Sequence, residues 1–333
     1  MLYDYIILDS ASLFYRLKKT AKTSLDVIKR MINYVEGEVK SRLNKDGILY
    51  ILFDPVSYSD LGESKNFYYS INERKKILSD YKANRTYSPI YLETIELFRK
   101  YYLYRGDSIK LLYSDEYEAD DYVEPLIAQI KDGWKFMSTC KNVALITTDY
   151  DFAGYIHDKP NVIVHMINGD FDKPFTVSQF EQLFQFKPTI AANILYKALF
   201  GDKSDNIVGT LLMKKAKFGN NIKVLCRDYL QQVADSNVTI DEVIQQFKDA
   251  NFQSVNKKED RDAFDLLYLS LSLVDLKVPV FQTLFTNIRV IRSALSGKSL
   301  EPYMHCNAEN NVINDVVYKS IYGIPYKQLF GRT

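Results

Sequence analysis

Three aspartates close short apolar runs: YIILD ends at Asp9, ILYILFD at Asp54 and VALITTD at Asp149. Six more acids lie in short polar segments: Glu118, Asp120 and Asp121 in EYEADDYVE, Asp151 just beyond Asp149, and Asp202 and Asp205 in GDKSDNI. Carboxylates gathered at one place repel. At ~4 Å and an effective dielectric of about 20, each charged pair costs on the order of 4 kcal/mol. Divalent cations remove that penalty, and hard oxygen donors with room for water suit magnesium, with manganese as a substitute. Taken singly, Asp9 and Asp54 read as strand-end turn residues, Asp149 and Asp151 as helix caps, and Asp202 to Asp205 as a turn. It is their joint occurrence that points to chemistry.

The elements that must position these acids follow from the apolar pattern. Each run has strand length, is rich in Ile, Leu and Val, and does not alternate, which is how a parallel strand buried on both faces reads. In an open parallel sheet the ligand site lies beyond the carboxyl ends of the strands, so three strands would deliver a carboxylate each to one edge. Further strands are expected at 48–54, 109–113, 143–149 and 162–167. Residues 24–43 have helical spacing, with Ser24 as a cap and Val27, Ile28, Met31, Ile32, Val35 and Val39 on one face. Pro89 opens a helix over 89–104. Glu118, Asp120 and Asp121 are placed in a first helical turn, and Pro125 implies a kink or an early stop. From about 176 onward the pattern is mostly helical. An α/β domain with a helical second part follows.

Composition sets limits. With 333 residues, about half of them hydrophobic, a sizeable core is available, and a net charge of +1 is neutral about nucleic acid. Cys140, Cys226 and Cys306 are too scattered for a zinc site or a disulfide framework. Three histidines, His157, His165 and His305, make a histidine-centred hydrolase an unattractive reading. No apolar run approaches the roughly 18 residues of a membrane span, and no signal peptide is visible. A soluble protein of a reducing cytoplasm is expected, in the host cytoplasm if the chain is phage-encoded.

A basic segment supplies the second clue. Arg74, Lys75, Lys76, Lys82 and Arg85 are interleaved with Tyr69, Tyr81 and Tyr87. Charge-assisted contacts of this kind suit phosphate.

Together, ILDSASLFYR, LFD, RKKILSDYKANR, YEADD, TTDYDF and GDKSDNI resemble the structure-specific 5′-nucleases, a family that includes flap endonucleases, phage 5′-exonucleases and the 5′-nuclease domain of bacterial DNA polymerase I. The layout is similar to the branch typified by T-even phage ribonuclease H. The likeness covers roughly residues 3–210 and continues more weakly to about 280. It implies a PIN-like three-layer α/β domain with a central, mostly parallel sheet over residues 1–185. An arch segment at about 55–108 belongs to it, and a mainly helical DNA-binding part with a tail fills 186–333. It implies two magnesium ions: Asp9, Asp54, Glu118 and Asp120 around the first, and Asp149, Asp151, Asp202 and Asp205 around the second, with Asp121 close by. On the arch, Lys82 and Arg85 would hold the scissile phosphate, and Tyr81 would stack on the adjoining base.

Arg74 and Lys75 would contact nucleic acid, as would Lys214, Lys215 and Lys217. The last three lie in NIVGTLLMKKAKFGN, which lacks the glycine pattern of cellular members and puts a potassium site in doubt. The expected activity is 5′–3′ exonucleolytic or flap-endonucleolytic cleavage of RNA primers or DNA flaps on nicked or branched duplexes during replication. A PIN-type single-strand ribonuclease and a non-catalytic DNA-binding scaffold are the rival readings. PIN ribonucleases are smaller and have fewer acids, and a dead scaffold would have lost some.

Expected partners are DNA and RNA/DNA duplexes, and a sliding clamp or single-strand-binding protein. The segment YKQLFGRT bears on the latter, because Gln328, Leu329 and Phe330 resemble tails that dock on clamps. The more ordinary alternative is a tail folded onto its own domain. Deleting residues 327–333 separates the two by melting temperature and clamp binding. The expected result is a lower melting temperature. Unchanged melting with loss of clamp binding would establish a docking tail instead.

Overall fold

In the computed structural model, the described residues are 2–21, 23–54, 76–82, 89–103, 108–112, 118–133, 142–167, 173–209, 227–249 and 263–274. Five parallel strands form one sheet in the order β3-β2-β1-β4-β5: β1 (Tyr3–Asp9), β2 (Leu43–Leu52), β3 (Ile109–Leu112), β4 (Val143–Thr147) and β5 (Val162–Met166). The chain first builds outward from β1 to β3, then returns to β1's other side with β4. That reversal makes a switch point between β1 and β4, where a crevice opens at the carboxyl ends of the strands.

The non-alternating runs are explained by what lies on the two faces. On one, Ile6, Leu8, Leu49, Ile51 and Ile146 pack against α1 (Ser10–Lys18), α2 (Ser24–Asn33) and α3 (Pro89–Leu103) through Phe14, Ile28, Met31, Phe98 and Tyr102. On the other, Ile7, Leu52, Leu145, Val143 and Val164 meet α4 (Val123–Gly133) and α5 (Tyr155–Asp158) through Val123, Leu126, Ile127 and Tyr155. Alternate strand residues feed opposite cores, so the buried stretches of these strands do not alternate between apolar and polar. This is the expected three-layer α/β arrangement.

Several local expectations are corrected. Thr23, not Ser24, caps α2, accepting from the Asp26 amide at 3.2 Å, while the Ser24 hydroxyl donates to Glu93 at 2.6 Å. The helix over 24–43 is not uniform: a π-helical stretch over Tyr34–Val39, containing Gly37, and a 3₁₀ turn over Lys40–Arg42 follow α2, still burying Val35 and Val39. β2 begins at Leu43 and ends at Leu52, and β4 ends at Thr147, so Asp54 and Asp149 stand just past their strands. Pro125 does not stop α4, which runs on to Gly133. It lies in the first turn, where its missing N–H has no helical partner to lose.

A third cluster is helical. Phe180 of α6 (Val177–Phe184), Leu195 and Leu199 of α7 (Ile190–Phe200), Leu230 and Val233 in a helix over 227–234, Val243 and Phe247 of α8 (Ile240–Asp249), and Leu267 of α9 (Ala263–Val274) pack together. Ala153 joins them from the segment after β4. Phe180 and Phe186 meet in this cluster from either side of the proposed division at 185/186. Among the described residues, no helix is long and apolar enough to cross a membrane.

The helix α7 ends at Gly201, whose φ of 75° and ψ of 170° turn the chain into the two-residue antiparallel pair β6 (Gly201–Asp202) and β7 (Ile207–Val208). A Cβ there would lie 2.4 Å from the Gly209 amide nitrogen. Gly201→Ala should therefore cost about 1–3 kcal/mol through backbone strain and overpacking, read as a lower urea midpoint.

Candidate active site

At the carboxyl edge of the sheet, next to the switch point, Asp9, Asp54, Asp120, Asp149, Asp202 and Asp205 line one open cavity of about 450 Å³, together with Lys82. A smaller cavity of about 290 Å³ adjoins it, shares Asp149 and Asp202, and adds Asp151 and Lys197. Glu118 is buried beneath the basic segment, and Asp121 is buried behind it. All nine acids singled out in the sequence are therefore among the described residues, and seven of them line these two cavities.

Local backbone chemistry explains how each acid is held. Asp9 caps α1, with one carboxylate oxygen accepting from the amides of Ala11 and Ser12 at 3.0 and 3.2 Å. Its other oxygen accepts from the hydroxyls of Ser12 at 2.5 Å and Thr147 at 3.2 Å, which ties β1 to β4. Asp149 caps the 3₁₀ turn Tyr150–Gly154 and accepts from the Asp151 amide at 2.9 Å. The cap reading holds for Asp149 but not for Asp151, which lies inside the turn, while Asp9, read as a strand-end turn residue, is also a cap; capping and lining the cavity coexist. Asp54 accepts from the Ala119 amide at 3.1 Å, and Asp121 accepts from the Glu118 amide at 2.9 Å, so the EADD segment is folded onto the end of β2. Asp202 accepts from both the amide and the hydroxyl of Ser204, at 2.8 and 2.6 Å.

Two lysines enter this acidic group. Lys82 is buried, donates to Glu118 at 2.7 Å and lies 3.8 Å from Asp205. Its φ is 54°, a left-handed backbone, and its amide donates to the Asp205 carbonyl at 3.0 Å. The second is Lys197 of α7, which pairs with Asp151 and, at 2.9 Å, with Asp202. Tyr81 is also buried, its hydroxyl donating to Glu118 at 3.0 Å and Asp205 at 3.3 Å. In this position its ring packs with Ile207 rather than facing the cavity. Stacking on a base would require it to turn outward.

The electrostatics match the geometry. Burial pushes Asp9 above the usual carboxylate range, with Asp149 adding repulsion while the Ser12 hydrogen bonds oppose the rise. Burial likewise raises Asp54, against the pull of Lys82. Asp151 is pushed up to about 8 by burial and by neighbouring Asp149, although Lys197 opposes the shift. Burial disfavours charge on Asp202 too, but Lys197 and Ser204 overcome it and hold the group down at about 2. Burial also disfavours charge on Lys82, yet Glu118, Asp205 and Asp54 outweigh it and raise its pKa. These are acids short of positive charge.

Among the described residues, no three acids already form a coordination group around one point. The donor set nonetheless fits hard divalent ions: all candidate ligands are carboxylate oxygens, and Asp9 and Asp151 are raised by burial, with repulsion from Asp149 adding to it. Lys82 and Lys197 would have to yield oxygens for such ions to bind. Neither described histidine lines either cavity.

The rest of the expected set divides cleanly. Arg74, Lys75, Arg85, Lys214, Lys215 and Lys217, together with Tyr69, Tyr87 and the tail, lie outside the described residues. Sequence reasoning missed Lys197, Ser12, Thr147 and Ser204. Lys197 carried a usable signal: it is the one charged residue in the helix IAANILYKALF.

No family model matches the chain. A DNA polymerase I from Caldicellulosiruptor bescii is 34% identical over 142 residues, which is 41% of this chain. The chain spans about 15% of the length of that curated relative. Among solved structures, a bacteriophage T5 flap endonuclease with DNA and metal ions is 17% identical, with a TM-score of 0.48, covering 82% of this chain and 89% of that one. A zinc-bound T5 5′-exonuclease is 18% identical with a TM-score of 0.49 and the same coverages. The catalytic core of Rad2 with DNA is 11% identical, covers 98% of this chain and 89% of that one, and has a TM-score of 0.41. The chain resembles structure-specific 5′-nucleases, as its motifs indicate.

The Asp151 shift has a sign that can be checked. Its folded pKa, about 8, lies above its ordinary value of 3.8, so between those values the folded protein binds the extra proton. Stability is then lost as pH rises through this window. In EDTA, the melting temperature of Asp151→Asn should gain on that of the wild type from pH 4 to 8. A constant difference would show that Asp151 is ionised throughout.

Proposed function

We propose that the chain is a divalent-metal-dependent 5′-nuclease, hydrolysing phosphodiesters near 5′ ends, primers or flaps on nicked and branched duplexes. The observation that carries this reading is the convergence of six aspartates, from the ends of three parallel strands, the 3₁₀ turn Asp120–Tyr122 and the β6–β7 hairpin, on one open cavity beside a buried lysine. Two divalent ions, magnesium or manganese, would activate a water and stabilise the attacking and leaving oxygens of an in-line displacement. Asp9, Asp54, Glu118 and Asp120 would hold the first, and Asp149, Asp151, Asp202 and Asp205 the second.

The chain's own residues account for the rest. Carboxylates fixed by caps and hydroxyls keep their orientation when charge builds at the phosphate, so little reorganisation is needed. Lys82 stands at the cavity wall, where a phosphate oxygen competes with Glu118 for its ammonium. Arg85 would join it on the arch, and Lys75, Arg74, Lys214, Lys215 and Lys217 would hold duplex phosphates. Both RNA and DNA strands are proposed as substrates, and replication as the setting.

The test is cleavage of end-labelled nicked, flapped and RNA-primed duplexes in magnesium and in EDTA. Magnesium-dependent release of short 5′ products is expected. Asp149→Asn keeps the cap acceptor but removes a charge, so it should fold normally and cleave below detection; wild-type turnover by it would sink the two-ion reading. Lys82→Ala should lower kcat by about 10²–10³-fold, with duplex affinity changed far less. A change confined to the salt dependence of binding would make Lys82 an ordinary backbone contact.

A further inference from the structure

The helix α7 brings a charge to a place where the proposed chemistry has no use for it. Lys197 is the single charged side chain among its eleven residues, and 17% of it is exposed. The helix is anchored against the segment that carries Asp151: the Asn193 side chain donates to the Asp151 carbonyl at 3.3 Å, and the Ile190 backbone amide to the Asp158 carboxylate at 2.8 Å. Gly154 lies against the main chain of Thr189 and Ile190 so closely that a Cβ would sit 2.6 Å from the Ile190 nitrogen. The lysine is thus delivered by a rigid element, and its ammonium meets carboxylate oxygens of both Asp151 and Asp202.

We propose that Lys197 is a built-in competitor for the second divalent ion: it binds the same carboxylate oxygens and so sets the concentration at which that ion is held. The inference rests on the two-ion reading above. An ammonium is a compact single charge with three donors, and it compensates Asp151 and Asp202 without completing a coordination sphere. An ion entering there must displace Lys197 or bind beside it and bear the repulsion. Lys82 reaches the second group only at its edge, 3.8 Å from Asp205; its close partner, at 2.7 Å, is Glu118 of the first group.

Manganese binding to the full chain, without nucleic acid, tests this through the free-ion electron paramagnetic resonance signal. The wild type should hold one ion tightly and a second weakly. Removing a unit charge some 4 Å away should tighten the second ion at least about tenfold in Lys197→Met, leaving the first unchanged. Lys197→Arg, which keeps the charge, should behave as the wild type. Lys197→Gln repeats the comparison with a polar side chain. If either neutral variant folds only when manganese is supplied, the ion has replaced the lysine and the proposal is supported. Second-ion affinity unchanged or weakened in both neutral variants overturns the proposal and leaves the nuclease reading intact, as does failure of both to fold in manganese. Absence of any manganese binding by the wild type overturns both.

Discussion

Repulsion among carboxylates at one edge of a parallel sheet is the constraint on which this structure turns. Burial raises Asp9, Asp54 and Asp151 above their ordinary range, so the protein carries a local instability where its strands end. Much of the surrounding structure compensates it. Helix and turn N-termini supply amides to Asp9 and Asp149, hydroxyls of Ser12, Thr147 and Ser204 supply further donors, and two lysines supply charge. Lys197 and the Ser204 donors overcome burial at Asp202 and hold it low, whereas at Asp151 burial and the neighbouring Asp149 outweigh the same lysine.

The two cores make that edge possible. Residues of each strand alternate between two helical layers, so the sheet is fixed from both sides and its carboxyl ends are held in register. Asp9 and Asp149 then stand at the ends of adjacent strands, β1 and β4. The Thr147 hydroxyl bridges them by donating to Asp9 and accepting from the Asp149 amide. Side chains that look like ordinary strand-end polar residues therefore align the site.

The strands and the strand-end acids were legible because a buried parallel strand leaves an unmistakable run of Ile, Leu and Val. Its end could be placed to within two residues, with Asp54 and Asp149 falling just beyond β2 and β4. The helix caps were legible in type but not in position: Thr23 and Ser24 are chemically equivalent candidates, and the contact of Ser24 with Glu93 decides between them. Pro125 misled because its effect depends on where the helix starts, which in turn depends on the 3₁₀ turn Asp120–Tyr122. Lys197 stood out as the one charge in an apolar helix, but its partners did not, because they are set by packing of α7 on the turn after β4. Tyr81 sits in a basic, surface-like segment, yet Ile207, far along the chain, buries it.

The segment holding Tyr81 and Lys82 is also fastened through its main chain. The Lys82 amide donates to the Asp205 carbonyl, and the Asn206 side chain donates to the Asp80 carbonyl at 2.9 Å. Each bond ends on a backbone atom of the segment 76–82, so side-chain substitutions on that segment leave the clasp in place. A pull on it is delivered directly to the loop that carries Asp202 and Asp205. The basic segment and the acid-bearing loop are in this sense one mechanical part, joined main chain to main chain on one side and main chain to side chain on the other.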